Sequence, residues 1–164
     1  MDTRTREQRR RIMQAVGQKD TGPEMAIRRP LHALGYRYIL HAKGLLGRPD
    51  LVFPARRKVI FVHGCFWHGH ECPKGRAPKS RQEYWRPKIE ANRQRDFRVV
   101  EQLASEGWAS YTVWECETKN IAKIIEEVVN FLGPVRHIDS RPDQYAVTQE
   151  CDQSESTFSA GPEA

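Results

Sequence analysis

Ten consecutive residues, His63-Gly64-Cys65-Phe66-Trp67-His68-Gly69-His70-Glu71-Cys72, carry three histidines and two cysteines. They follow an apolar stretch, Val59-Ile60-Phe61-Val62, that reads as a strand. Such a density of metal-capable and proton-transferring groups exceeds what a plain loop needs. A further thiol, Cys116, follows a second strand-like stretch ending at Trp114. Three thiols and one imidazole would close a tetrahedral zinc site with no position left for substrate, which is the structural kind. The histidines and carboxylates left over suit a separate, harder cation. Chief among those acids is Asp50, at the end of Gly47-Arg48-Pro49-Asp50 and at the start of a short apolar run. An Asp holding Mg²⁺ beside histidines that titrate near neutral pH is a workable phosphodiesterase site.

The elements that must position these groups follow from periodicity and punctuation. Thr21 is expected to cap a helix with Pro23 in its first turn, Ile27, Leu31 and Leu34 on one face, and Gly35 as its stop. Pro30 falls inside it and predicts a kink or a late start. An earlier short helix is expected over 6–16, ended by Gly17. Residues 36–40, 51–53, 58–62 and 108–114 read as strands, with 51–53 and 58–62 forming a hairpin. Antiparallel pairing in that hairpin would make Asp50 and His63 neighbours, with Glu24 of the preceding helix able to join them. A helix over about 87–105 shows Ile89, Val100 and Leu103 on one face, Val99 close by, Asp96 in the middle of it and Asn92 one turn earlier. A carboxylate there needs a partner or a task. A last helix over about 120–132 turns Ile121, Ile124, Ile125, Val128 and Leu132 inward and ends at Gly133-Pro134. The expected fold class is α/β: a mixed central sheet flanked by helices, with a structural zinc site.

Charge divides the chain. Of its 164 residues, the first 138 hold 26 Lys and Arg against 15 Asp and Glu, whereas residues 139–164 hold one against six. Five of the first eleven residues are arginines, Arg4, Arg6, Arg9, Arg10 and Arg11, and basic residues recur from Lys74 to Lys88. Excess positive charge of this kind attracts phosphate backbones without regard to sequence. Three regions are expected: a basic N-terminal arm and helix over 1–20, one catalytic domain over 21–137, and an acidic, disordered tail over 138–164. Neither a secretory signal nor a membrane-spanning run is read in the sequence, and thiols clustered with histidines fit a reducing, cytoplasmic setting better than disulfides. Cys151 stands apart from the cluster.

Four segments together, Gly47-Arg48-Pro49-Asp50, Val59 to His68, Asn92-Arg93-Gln94-Arg95-Asp96 and Val113-Trp114-Glu115-Cys116, resemble the very short patch repair endonuclease family. The resemblance covers roughly residues 5–133. It implies a restriction-endonuclease-like fold and an enzyme that nicks one DNA strand beside a T·G mismatch, the lesion left by deamination of 5-methylcytosine. It implies further that Asp50 and the position of Val62 hold Mg²⁺, that His68 backed by Asp96 activates water, that His63 assists at the phosphate and that Glu24 lies near that centre. Cys65, His70, Cys72 and Cys116 become the zinc ligands, and Met13, Phe66 and Trp67 the wedges entering the base stack. The family commonly has Thr where this chain has Val62: a carbonyl ligand is served equally by Val, a hydroxyl ligand is not. Gly69 likewise stands where some relatives have another histidine. Arg9, Arg10 and Arg11 are the expected phosphate contacts. The expected partners are mismatched double-stranded DNA, other mismatch-repair proteins and a DNA polymerase, met by a monomer in the bacterial cytoplasm at the nucleoid.

Two competing readings differ in kind. A non-catalytic zinc-containing module that binds nucleic acid explains the thiols, the basic arm and the aromatics, but leaves Asp50, His63, His68 and Asp96 idle. A zinc deaminase would need a closely spaced Cys pair after its His-x-Glu, and none follows His70-Glu71-Cys72 in that pattern.

Overall fold

The computed structural model describes Glu7, residues 19–78 and residues 81–135. Apart from Glu7, the expected helix over 6–16 lies outside the described residues, as do Met13, the arginine arm and the acidic tail. The described chain is a mixed α/β unit. Helix α1 (Gly22–Ala33) leads to strand β1 (Ile39–Leu40), β2 (Leu51–Phe53) and β3 (Lys58–His63). Helix α2 (Gln82–Ser105), strand β4 (Ala109–Trp114) and helix α3 (Ile121–Leu132) follow. The four strands lie in chain order, with β1–β2 and β2–β3 antiparallel and β3–β4 parallel.

Thr21 caps α1 as expected, its Oγ1 accepting the Glu24 N–H at 3.4 Å. The helix runs continuously through Pro30, whose carbonyl still accepts the Leu34 N–H at 2.9 Å. Leu34 caps the helix and is exposed rather than sharing the face of Ile27 and Leu31. The expected strand over 36–40 contracts to two residues because Tyr36 is buried instead, its hydroxyl donating to the Gly133 carbonyl at 2.6 Å. The 51–53/58–63 hairpin forms through a 3-10 turn at Pro54–Arg56. Helix α2 begins at Gln82, ahead of the expected Pro87, which it takes in its second turn. Val100 on α2 and Ile121 at the start of α3, both expected inward, are 38% and 37% exposed.

Alternation along the strands divides the core in two. Leu51, Phe53, Ile60 and Val113 face α1 and α3, meeting Ile27, Leu31, Ile124, Val128 and Leu132. Val52, Val59 and Phe61 face α2, meeting Val99 and Leu103. Strand β3 is covered on both faces, so its central residues are all apolar. Its odd-numbered side chains point to α2, and that parity carries on to His63. Among the described residues no helix is long and apolar enough to cross a membrane.

Candidate active site and metal centre

The C-terminal end of β3 is where the chemistry-bearing residues converge. His63 takes the same face as Val59 and Phe61 and meets the helix α2 side. There its ring stacks on that of His68, centroids 3.7 Å apart and planes within 9°. His68 Nδ1 lies 2.5 Å from Asp96 Oδ2, and Arg95 Nη2 donates to the other oxygen, Oδ1, at 3.1 Å. Asp96, one-fifth exposed, is thus no buried orphan: it is the partner of His68. Burial alone would raise its carboxyl, but the hydrogen bond and charge of His68 hold it below the usual carboxylate range. Burial, followed by the neighbouring His68, pushes His63 down to about 4, so it is neutral at physiological pH.

Asp50 occupies the other flank of the same strand end. Its Oδ2 accepts the Val62 N–H at 2.7 Å, which turns that residue's backbone, and hence its carbonyl, toward Asp50. Glu24 is 1% exposed, and its Oε1 accepts from Arg28 Nη1 at 3.0 Å. Between the two acids stands His41, which sequence reasoning passed over. Its Nε2 is 3.4 Å from Glu24 Oε1 and its Nδ1 3.9 Å from Asp50 Oδ1. Its signal was the register of the first hairpin: Leu40 pairs with Leu51, so His41 falls opposite Asp50. Burial raises the Asp50 carboxyl, with the Glu24 charge adding to the rise against the Val62 N–H and His41. Two crowded acids beside an outward carbonyl form a donor set that a hard divalent cation would relieve. The hairpin register sets Asp50 level with Phe61 rather than with the expected neighbour His63, and parity sends His63 to His68 and Asp96.

Two groups among the described residues could hold a metal ion, His63 with His68 and Asp96, and Cys65 with His70, Cys72 and Cys116; within each group the donor atoms all lie within 4.8 Å of one another. Cys116 Sγ is 3.5 Å from His70 Nδ1, close to the separation of about 3.5–3.8 Å that tetrahedral Zn–S and Zn–N bonds impose. Burial drives Cys65 up to about 12; burial acts in the same direction on Cys72, but hydrogen bonds from His70, Cys65 and the Gly75 and Lys74 N–H groups outweigh it and draw that thiol down to about 6. The donors fit Zn²⁺, which would hold all three sulfurs as thiolates together.

The loop between the two centres is held by side chains and by the lack of them. Asn92 Nδ2 donates to the Trp67 carbonyl at 2.8 Å, fastening the loop to α2. Gly69 has φ +61°, and a Cβ there would stand 2.6 Å from Ile89 Cγ2, so the loop passes too close to α2 for a side chain. Trp114 joins the centres, stacking on His70 at 4.3 Å and meeting His63 edge-on at 5.5 Å. Phe66 and Trp67 are half-buried and contact one another at 5.2 Å. Trp85 of α2 extends the cluster, 5.1 Å from Phe66 and 6.2 Å from Trp67, with Tyr84 and Lys88 beside it. The Tyr84-Trp85 pair in a basic segment was its only sequence signal.

A family model described as DNA mismatch endonuclease Vsr matches residues 1–74. Over 128 residues, 78% of this chain and 94% of the relative, the sequence is 55% identical to the type II nicking enzyme V.XorIIP of Xanthomonas oryzae pv. oryzae. It is 40% identical to the type II nicking enzyme V.NmeAIP of Neisseria meningitidis over 80% of this chain and 93% of that protein. It is 36% identical to the DNA mismatch endonuclease Vsr of Escherichia coli, over 78% and 82% of the two chains.

Proposed function

The chain belongs to the DNA mismatch endonuclease Vsr family, and from that premise we propose that it nicks one strand of duplex DNA beside a T·G mismatch in a Mg²⁺-dependent reaction. The mixed sheet with helices on both faces is consistent with a restriction-endonuclease-like fold. The observation that supports the reading is that Asp50, bonded to the Val62 N–H, and the stacked His63 and His68 with Asp96 flank the same end of β3.

With Nδ1–H donated to Asp96, His68 presents Nε2 as the base that takes a proton from the attacking water. Asp96 fixes that tautomer and favours the imidazolium as it forms. The water oxygen bonds to phosphorus, and the bond to the leaving sugar oxygen breaks. Neutral His63 donates to a phosphate oxygen without adding a competing charge beside His68. A divalent cation held by Asp50 and the Val62 carbonyl would neutralise the phosphate and stabilise the leaving oxygen. If Val62 serves that cation through its carbonyl, the family's threonine hydroxyl would be dispensable. Cys65, His70, Cys72 and Cys116 would hold a Zn²⁺ with no position left for substrate, an ion that would serve the fold.

Phe66 and Trp67 are the wedges, together with Met13 of the arm. A mismatched step costs less to unstack than a paired one, so wedge insertion discriminates in favour of the lesion. The protein acts as a monomer, and the nick is handed to other mismatch-repair proteins and a DNA polymerase. The test is nicking of duplexes bearing each mismatch, with Mg²⁺ supplied or chelated. Nicking should require Mg²⁺ and favour T·G, and Asp50→Ala should abolish it while sparing DNA binding. Binding without nicking would make the chain a non-catalytic zinc module, and undiminished nicking in chelator would remove the metal from the mechanism.

A further inference from the structure

We propose that His41 is itself a ligand of the divalent cation at Asp50, with Glu24 as the carboxylate behind its imidazole. The proposal rests on the metal-dependent reading above and deepens it by naming a nitrogen donor. Two ligands of one ion, with bonds of about 2.0–2.1 Å, stand no more than about 4.2 Å apart. His41 Nδ1 and Asp50 Oδ1, at 3.9 Å, are inside that limit. Ligating imidazoles almost always donate their second N–H to a carboxylate, which sets the tautomer and raises the basicity of the bonding nitrogen. Here the second nitrogen, Nε2, is shut off from solvent, finds no aligned hydrogen-bond partner among the described residues and faces Glu24 Oε1 at 3.4 Å. Glu24 in turn is anchored by Arg28.

The backbone supports the same assignment. His41 has φ +48°, a left-handed conformation that is unfavourable for a residue with a Cβ. It is held there by its N–H, which donates to the Asp50 carbonyl at 3.3 Å. Strain of this kind gathers where a side chain must be aimed, and this one is aimed between two acids. The ion pair with Arg28 anchors the buried Glu24 but does not by itself account for its facing His41 beside a second acid. As the carboxylate of a Glu24–His41–metal chain it has a task. An imidazole in the donor set also favours later first-row ions over Mg²⁺ more than an all-oxygen site does.

Mn²⁺ is the probe, added to the zinc-loaded, DNA-free full chain. Electron spin echo measurements on bound Mn²⁺ should show modulation from an imidazole nitrogen. In His41→Asn, which keeps a residue tolerant of positive φ, that modulation should vanish and Mn²⁺ affinity should fall about tenfold or more, with melting temperature and zinc content unchanged. Glu24→Gln should weaken Mn²⁺ by about tenfold in the parental background and by much less in His41→Asn, because Glu24 acts through the imidazole. Nitrogen modulation that survives His41→Asn would assign the donor to His63 or His68 and overturn the proposal, as would saturable binding without modulation or no saturable binding at all. Asp50→Ala separates the two levels of inference. If it leaves Mn²⁺ affinity intact, the metal assignment to Asp50 falls. If it destroys binding while His41→Asn does not alter it, only the role of His41 falls.

Discussion

Replacing Asp96 by Asn tests the catalytic pair with little change of shape. Asn has nearly the volume of Asp, and its Oδ1 can keep the 3.1 Å bond from Arg95, so α2 should hold its place. What is lost is the charge 2.5 Å from His68 Nδ1. A hydrogen bond to an ionised partner contributes about 1.5–3 kcal/mol. As base, His68 gains positive charge while the water proton moves to it, so that loss falls on the transition state. It corresponds to about 10- to 150-fold in rate. An Asn that turns its Nδ2 toward Nδ1 selects the tautomer with the proton on Nε2, which deepens the defect. The assay is single-turnover nicking of a T·G duplex at saturating protein from about pH 6 to 9. His68→Ala should lose about two to four orders of magnitude, and the double variant should be no slower than His68→Ala, because the two residues act as a unit. Parental rates in Asp96→Asn, or a double variant slower by the product of the two single losses, would refute the pairing. Asp96 is held below its ordinary pKa, so the stability its charge adds is complete at neutral pH and disappears only as acid protonates the folded form. The variant's modest stability loss should therefore shrink as the pH falls below the carboxylate range.

Purified protein should contain about one Zn²⁺ per chain; Cys116→Ser should lose most of it and melt at lower temperature, since the ligands tie the loop after β3 to the end of β4. Phe66→Ala and Trp67→Ala should weaken binding to mismatched duplex more than to matched duplex in a titration, with little change in melting temperature for these half-buried rings. Gly47→Ala forces a Cβ into a φ of +75° and to within 2.4 Å of Val99 Cγ1, so calorimetry should show about 2 kcal/mol or more of destabilisation. Ala in place of Arg9, Arg10 and Arg11 should flatten the dependence of log affinity on log salt, whichever duplex is used.

Local signals marked the elements well where chain chemistry alone decides them. Thr21 with Pro23 announces α1, and the apolar run 59–62 announces a strand buried on both faces. Residue types also marked the group of Cys65, His70, Cys72 and Cys116, because thiols and imidazoles together suit a soft or borderline ion. What escaped depends on long-range pairing. His41 is an ordinary histidine until β1 is registered against β2, and Trp85 joins Phe66 only when α2 starts ahead of Pro87. Tyr36 has strand propensity, but a hydrogen bond to Gly133, 97 residues away, takes it out of the sheet. The inward placement expected for Val100 failed because helical periodicity gives a direction but not the width of the face that a sheet can cover.

The parallel pairing of β3 with β4 has a consequence for how the enzyme comes into being. Asp50, His63, His68 and Asp96 are all synthesised before Ala109, yet β3 gains its partner on that side only when β4 is made. Until then the strand bearing His63 is paired with three residues of β2 alone. Joining the parallel strands means closing the intervening chain from Gly64 to Trp108, an ordering cost that local contacts do not offset and that slows folding. A chain emerging from the ribosome, or one cut short before residue 109, thus carries every side chain of the proposed catalytic set without the strand that completes the pairing of β3. Alignment of the proposed catalytic groups therefore waits for β4, the last strand among the described residues.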